Sequence, residues 1–312
     1  MKTTPVTFAD LESSVIAVPP MARNADFTVN RGETSKIIDH IEAGGIRSLM
    51  FGGNANFYHL PNSWYAETID FLADAAGDDT WVLPAIGPDF GKLHDHAAIL
   101  RERQFPAAML LPSTAMFTAT GVATAIRHFV ERSGIKAVIY LKSEGFLTPD
   151  LVKALVEDDL ICSIKYAVVR QNPLRDDLLA RLVDLIDRRY LVSGIGERPV
   201  VEHFSGFGLT SFTTGSGVIA PRLAMQLRET LLAKDYERAA EMVRLFIPLE
   251  DERDRVHPAR VLHDAIGAAG IADTGPQAPL FSGLDASELR ATTTAARHLL
   301  LEEEKSRALL AA

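Results

Sequence analysis

The chain of 312 residues is poor in cysteine and in positive charge, and it has no long hydrophobic run. Its one cysteine, Cys162, excludes an internal disulfide and is typical of a reducing compartment. Its 41 acidic residues outnumber its 32 basic residues, and the formal net charge of −9 suits neither nucleic acid nor anionic lipid. Apolar runs such as AAMLL at 107–111 are far shorter than the roughly 20 residues of a membrane span. Because the polar start MKTTPVTFAD also lacks a secretory hydrophobic segment, we expect a cytoplasmic protein with no nucleic-acid or membrane partner.

Sequence motifs of several other chemistries are missing too. The chain has no G-x-S-x-G elbow and no Walker loop, and the Gly194-Ile195-Gly196 segment lacks the third glycine of a dinucleotide fingerprint. His94 and His96 have a spacing found at metal sites, but they stand in a predicted helix, where residues two apart face different directions. We interpret both as belonging to a solvated helix face. The sequence therefore predicts no metal and no cofactor.

Eight short apolar runs recur along the chain, each followed by a segment of helical period. They are VIAVP near 15, SLMFG near 48, WVLPAI at 81, AAMLL at 107, KAVIY at 136, LICSIKY at 160, YLVSG at 190 and LTSFTTG at 209. Short strands without clean alternation indicate burial on both faces, as in a parallel sheet. Eight strand-and-helix units predict an α/β fold, the (β/α)8 or TIM barrel, with a doubly wound open sheet as the alternative.

The predicted helices carry recognisable ends. The apolar stripe between Tyr65 and Ala76 predicts a helix that ends with Gly77 as its C-cap, and Thr148-Pro149-Asp150 predicts the start of another. After the eighth run no further strand is indicated, and helical spacing continues toward the end. We predict a barrel over residues 1–232, which holds the active site, and a C-terminal helical extension over residues 233–312.

Polar side chains at the carboxyl ends of the strands are the candidates for chemistry in a barrel. Lys165 ends the sixth run and shares a face with Ser163, opposite Cys162. Burial favours the neutral amine, which is the form that attacks a carbonyl to make an imine. Tyr140 ends the neighbouring fifth run and could transfer protons in such a reaction. The alternatives are a lysine paired with a neighbouring acid and a core tyrosine bonded to a carbonyl.

Three further segments are candidates for binding an anionic substrate group. Gly52-Gly53-Asn54 follows the second run and could adopt unusual dihedral angles that aim backbone N–H groups at a carboxylate, although a simple tight turn would look the same. Gly215-Ser216 follows the eighth run, where barrels often bind phosphate or carboxylate. Arg170 is either an anchor for an anion or a surface arginine.

These residues resemble the dihydrodipicolinate synthase and N-acetylneuraminate lyase family. The resemblance rests on the glycine turn continuing into FY, the tyrosine that ends strand five, S-I-K in strand six, SG after strand seven and the segment HPARVLHDAIGAAGI. It implies a barrel assembled as a homotetramer or homodimer, whose small-molecule partner is a 2-keto acid. It also implies that Lys165 forms the imine, that Tyr140 is the acid and base, and that Gly52, Gly53 and Asn54 bind the carboxylate. Gly194, Gly215 and Ser216 are further candidate substrate-binding residues.

Three departures from the family pattern argue against lysine biosynthesis. Gly53 lacks the hydroxyl of the family's proton relay, Ser113 and Thr114 stand near the place of a second tyrosine, and Gly145 stands where the synthase has an arginine. We therefore expect a lyase that performs aldol cleavage, condensation or dehydration on a different 2-keto acid or 2-keto-3-deoxy acid. The alternatives are a catalytically silent 2-keto-acid sensor, dihydrodipicolinate synthase itself and, from the Gly215 turn, a phosphate-binding isomerase.

Overall fold

Eight parallel strands form the centre of the molecule. The structure is a computed structural model that describes residues 1–311, with side chains described through Arg307. The strands are β1 (Ile16–Ala17), β2 (Ser48–Phe51), β3 (Trp81–Ile86), β4 (Ala108–Leu110), β5 (Ala137–Leu141), β6 (Ile161–Tyr166), β7 (Leu191–Ser193) and β8 (Thr213–Thr214). They pair in the order β7-β6-β5-β4-β3-β2-β1-β8, and a parallel bridge between Ser193 and Phe212 joins the two ends. The predicted (β/α)8 barrel is therefore confirmed, and each of the eight apolar runs coincides with a strand, although β5 extends one residue beyond KAVIY.

Twelve α-helices of the described residues surround the barrel or follow it. They are α1 (Phe8–Ser13), α2 (Arg31–Ala43), α3 (Asn62–Ala75), α4 (Phe90–Arg101), α5 (Ala119–Ser133), α6 (Pro149–Glu157), α7 (Asp177–Leu185), α8 (Val200–Phe207), α9 (Pro221–Leu232), α10 (Tyr236–Arg255), α11 (Pro258–Ala268) and α12 (Ala286–Ala311). Helices α2 to α9 each follow one strand, whereas α10 to α12 pack on one another and on α9. Among the described helices, none has both the length and the apolar character that crossing a bilayer requires.

The helix ends show where local sequence signals are reliable. The Thr148 side chain accepts a hydrogen bond from the Leu151 N–H at the start of α6, as predicted for an N-cap. The predicted C-cap at Gly77 is wrong by one residue, because α3 is capped by Ala76, whose N–H donates to the Leu72 carbonyl. Ala76 leaves the helix in an extended conformation, so this end does not need a glycine.

Burial follows the barrel geometry. All six residues of β6 are buried, as are those of β2 and β3, which confirms that these strands are covered on both faces. The core continues into the C-terminal helices through buried residues such as Phe246 and Leu249 of α10. This helix also buries two charged side chains, Glu250 and Arg253, which contribute to the site described next.

Candidate active site

The side chain of Lys165 points into the barrel. Its neighbour Tyr166 faces the surrounding helices, because the Tyr166 hydroxyl donates to Asp176 at the start of α7 over 2.6 Å. Successive side chains of a strand point to opposite faces, so Lys165 faces the interior. It lies near the carboxyl end of β6, in register with Tyr140 of β5 and Val192 of β7, and is only 6% exposed.

The environment of the Lys165 amine favours its neutral form. Among the described residues no carboxylate lies within ion-pairing distance of the Lys165 Nζ, so the lysine is not the ion-paired residue of the structural alternative. Burial, followed by the positive charges of Arg253 and Lys142, lowers the pKa of Lys165 from 10.5 to about 7. A substantial fraction of the amine is therefore unprotonated, and nucleophilic, near neutral pH.

Tyr140 is the nearest candidate for proton transfer. The Lys165 Nζ lies 4.5 Å from the centroid of the Tyr140 ring. Burial raises the pKa of the Tyr140 hydroxyl to about 12, although the charge of Arg253 opposes this shift. The phenol is therefore protonated at neutral pH and can donate a hydrogen bond or a proton to a group bound at Lys165.

A second tyrosine, which the sequence reasoning gave no role, lies on the same side of the barrel. The Tyr58 hydroxyl donates to the Pro112 carbonyl after β4 over 3.3 Å, and the Tyr58 ring lies against Gly53. Burial and the proximity of Tyr140 raise the pKa of Tyr58. Tyr58 follows the glycine turn closely in the sequence, so the FY of that motif was the signal from which its place near the site could have been predicted.

The turn after β2 presents backbone donors without acceptors. Among the described residues, no hydrogen bond uses the N–H groups of Gly53, Asn54 or Ala55. The Asn54 side chain anchors the turn by donating to the Val18 carbonyl over 2.8 Å. The expectation of unusual glycine dihedrals is wrong, because the residue with positive φ is Asn56, at 59°. The turn nevertheless offers an anion several adjacent N–H groups.

Gly194 makes room for the lysine. A Cβ atom at this position would lie 2.6 Å from the Lys165 Cγ and 2.7 Å from the Tyr166 carbonyl oxygen. The Gly194 N–H donates to that same carbonyl over 2.7 Å, which fixes the backbone there. A side chain at this position would collide with the stem of Lys165, so the absence of one shapes the site.

Gly215 and Ser216 contact charged residues that sequence reasoning missed. The Ser216 hydroxyl donates to the Glu250 carboxylate, and Gly215 packs against the Arg253 guanidinium. Glu197, in the loop after β7, is buried nearby and accepts from the Thr214 hydroxyl. Because Glu250 and Arg253 reach the barrel from α10, only the folded chain brings them to Ser216. From the sequence alone, the segment PLEDERDR indicates only the face of a charged helix.

The side chain of Arg170 contacts other residues than Lys165. Its guanidinium bonds to Asp176 over 3.0 Å and to Glu144 over 2.5 Å, so it already holds two carboxylates. Asp176 also caps α7 and accepts from the Tyr166 hydroxyl on the helical side of β6. The prediction of an anion anchor is therefore corrected: this arginine fastens the end of β6 to α7.

The histidines of α4 differ from the expectation in one respect. As expected, they face different directions, with His94 bonded to His128 and His96 bonded to Asn62. His96, however, is buried and stacks on Tyr65 at a centroid distance of 3.6 Å, so its assignment to a solvated face is wrong. Apolar contacts from α3, absent from any local pattern, cover it. The described residues contain no group of three or more side chains suited to hold a metal ion.

Two surface cavities of the described structure lie away from Lys165. One, of about 640 Å³, is bounded by α7, α8 and the end of α9, and the other, of about 740 Å³, lies between α9, α10 and α12. Neither is lined by Lys165, Tyr140 or the turn after β2. Neither of these cavities is therefore part of the candidate site at the barrel mouth.

Comparison with known proteins supports the fold. The sequence matches no protein-family model and no curated protein. Dihydrodipicolinate synthase from Bacillus clausii superposes with a TM-score of 0.83 at 18% identity, covering 93% of this chain and 98% of that one. A prophage protein of the dihydrodipicolinic acid synthase family from E. coli K12, in complex with pyruvate, gives 0.79 at 18% identity, over 91% and 98%. Ruminococcus gnavus sialic acid aldolase gives 0.81 at 12% identity, over 95% and 99%. The chain therefore has the fold of the dihydrodipicolinate synthases and sialic acid aldolases, the family whose sequence motifs it resembles.

Proposed function

We propose that this chain is a class I lyase in which Lys165 forms an imine with the ketone of pyruvate or another 2-keto acid. One observation carries the proposal: a buried lysine amine without a carboxylate partner lies 4.5 Å from the centroid of a tyrosine ring. A lysine held neutral by its surroundings is the nucleophile that imine formation requires. The protein has the fold of a pyruvate complex and of a sialic acid aldolase, which supports this substrate class.

The covalent step uses the residues of the site in defined roles. The Lys165 Nζ forms a bond to the ketone carbon, giving a carbinolamine. The former ketone oxygen then takes up protons and leaves as water while the imine forms. Tyr140, whose raised pKa keeps the phenol protonated, is the nearest donor for this transfer. In aldol cleavage, the substrate hydroxyl loses its proton, an aldehyde forms, and the protonated imine accepts the electron pair of the breaking carbon–carbon bond to become an enamine. In dehydration, the protonated imine accepts the electron pair of a C–H bond next to the imine carbon as that proton is removed, and the resulting enamine expels the neighbouring hydroxyl group, which leaves as water after taking up a proton.

The turn after β2 suits the carboxylate of the same substrate. The unused N–H groups of Gly53, Asn54 and Ala55 can bind carboxylate oxygens at the barrel mouth. The Asn54 side chain, bonded to Val18, keeps this turn in place. Fixing the carboxylate and the ketone together would hold the reacting carbon near Lys165, which raises the effective concentration of the reactants.

The reaction that follows imine formation is either aldol cleavage or dehydration. Cleavage would give pyruvate and an aldehyde, and condensation is its reverse, whereas loss of a hydroxyl group would make the enzyme a dehydratase. We further propose a homotetramer or homodimer in the cytoplasm that needs no cofactor. The missing hydroxyl at Gly53 and the glycine at 145 favour a substrate other than that of dihydrodipicolinate synthase.

Borohydride trapping tests the central step. The full chain is incubated with pyruvate and sodium borohydride, digested and analysed by peptide mass spectrometry. We expect a reduced adduct on the peptide containing Lys165 and none in Lys165→Arg. Lys136→Arg is the matched control, because Lys136 is exposed and ion-paired to Asp159, and its adduct should be unchanged. Failure of pyruvate and other 2-keto acids to label Lys165 would refute the proposal.

A second experiment separates the two reactions. The protein is incubated with 2-keto-3-deoxy sugar acids, and the products are followed as released aldehyde or as dehydrated keto acid. Aldehyde together with pyruvate identifies an aldolase, and a dehydrated acid without aldehyde identifies a dehydratase. An adduct on Lys165 with neither product in any substrate would contradict the lyase and leave a 2-keto-acid-binding protein.

A further inference from the structure

Three buried charged residues form a cluster between the barrel mouth and α10. This α10 cluster consists of Glu197, Glu250 and Arg253. The Arg253 guanidinium donates to Glu250 over 2.5 Å, Ser216 donates to the same carboxylate, and Thr214 donates to Glu197. Two atoms of the cluster, the Glu197 Oε2 and the Arg253 Nε, are buried without a hydrogen-bond partner among the described residues. Such a concentration of buried charge costs stability, so it calls for a reason beyond packing.

Glycines place the cluster directly beyond the stem of Lys165. A Cβ at Gly194 would contact the Lys165 Cγ, and a Cβ two residues later, at Gly196, would lie 2.8 Å from the Glu250 Oε2. A Cβ at Gly215 would overlap the Arg253 guanidinium. Two residues of chain span at most about 7 Å. Within that length, the loop after β7 therefore contacts both the lysine stem and the charged pair.

We propose that Arg253 is a positioning residue of the lysine site: α10 uses it to set a buried positive charge beside Lys165, and Glu250 limits the charge that the lysine senses. The inference rests on the proposed function, because it explains how the amine is kept nucleophilic. It also gives α10 a role in the barrel's chemistry. Arg253 is not assigned a contact with the substrate.

The titratable and charged groups around Lys165 and Arg253 come from three directions. Tyr140 and Lys142 approach from the end of β5, Glu197 from the loop after β7, and Glu250 and Arg253 from α10. Burial and the charge of Glu250 raise the pKa of Glu197, which favours its neutral form and leaves Glu250 as the main counter-charge to the arginine. Tyr140 is uncharged at neutral pH. Removing Arg253 should therefore favour the ammonium, and removing the charge of Glu250 should favour the amine.

Competitive acetylation measures the balance between the ammonium and the free amine of Lys165 without any keto acid. The full chain is acetylated with trace acetic anhydride over a range of pH, and the labelling midpoint of the Lys165 peptide is read by mass spectrometry. We expect the Arg253→Met midpoint to rise by about one pH unit, which from a starting pKa of about 7 is roughly a fivefold loss of free amine at pH 7. Arg253→Lys, which keeps the charge, should stay near the wild-type midpoint. Glu250→Gln, which still accepts hydrogen bonds, should shift the midpoint downward.

Arg255→Met is the matched control, because Arg255 lies on the same helix and pairs with Glu252 in the same spacing but is exposed. Its midpoint should equal that of the wild type. The proposal is overturned if Arg253→Met and Arg255→Met have equal midpoints, or if Glu250→Gln raises the midpoint. If Arg253→Met does not fold, the Glu250→Gln variant still tests the proposal, because its labelling midpoint should shift downward. A shifted midpoint with no imine in the trapping experiment would refute the proposed function alone.

Discussion

Replacing Lys165 by methionine should stabilise the protein, and the gain should depend on pH. The lysine is 6% exposed, and burial together with Arg253 and Lys142 lowers its pKa from 10.5 to about 7. At about 1.36 kcal/mol per pKa unit, this difference is worth roughly 5 kcal/mol between the two protonation states. Methionine keeps an unbranched apolar stem and removes the amine, so it removes that penalty.

The sign of the pH dependence follows from proton binding. Between about pH 7 and 10.5 the unfolded chain binds a proton at Lys165 that the folded chain does not, so the stability of the wild type rises with pH in this window. Below about pH 7 both states are protonated, and the full penalty of burying the ammonium is present. The advantage of Lys165→Met in free energy of unfolding should therefore be largest near neutral pH and should shrink by several kcal/mol as pH approaches 10.5.

Urea unfolding of wild type and variant at matched pH values measures this advantage. Subtracting the two free energies cancels the titration of groups that both proteins share. Lys136→Met serves as the control, because Lys136 is exposed and paired with Asp159, and its difference from wild type should vary little. A Lys165→Met difference that stays constant from about pH 6.5 to about pH 10 would refute the reasoning that this amine is neutral in the folded protein.

Three further substitutions separate chemistry from architecture. Tyr140→Phe should slow borohydride-dependent labelling of Lys165 by about 100- to 10,000-fold at unchanged stability. Quenched-flow trapping would measure this rate, and an unchanged rate would show that Tyr140 does not transfer the proton. Gly194→Ala should destabilise the fold by about 1 to 3 kcal/mol and reduce labelling of Lys165, because the added methyl group would overlap the lysine stem. Gly283→Ala is the control: its methyl group would meet no atom within 4 Å, so stability and labelling should not change. Asp176→Asn should lower the free energy of unfolding by about 3 kcal/mol in urea without changing the labelling rate, and a loss of labelling at intact stability would contradict a purely structural role.

Local sequence signals predicted the frame of this protein because they act over a few residues. Each apolar run coincided with a strand to within one residue at its end or contained it, since burial on both faces leaves little room for polar residues in parallel strands. Thr148 capped its helix because the capping bond spans three residues. The positions of Lys165 and Tyr140 could be predicted for a related reason: in a barrel, a polar residue that ends an apolar run has its direction fixed by the pleat.

Long-range contacts explain what the sequence did not predict. The burial of His96 depends on Tyr65 in another helix, and Arg170 is engaged by Glu144, which lies in another loop. The contacts of Arg253 and Glu250 could not be predicted for the same reason, because a charged helical segment does not indicate which of its faces will pack against Gly215. Signals of this kind appear only when distant parts of the chain are brought together.

The origin of Arg253 in α10 also bears on the order in which the protein becomes reactive. Ribosomal synthesis delivers all eight strands and Lys165 before α10 emerges, so a nascent barrel would have its lysine without the arginine beside it. Burial within the barrel, which is the larger cause of the lowered pKa, would already make part of such a lysine neutral. Docking of α10 would then enlarge the neutral fraction, so the amine would reach its full reactivity only after all eight strands had been made.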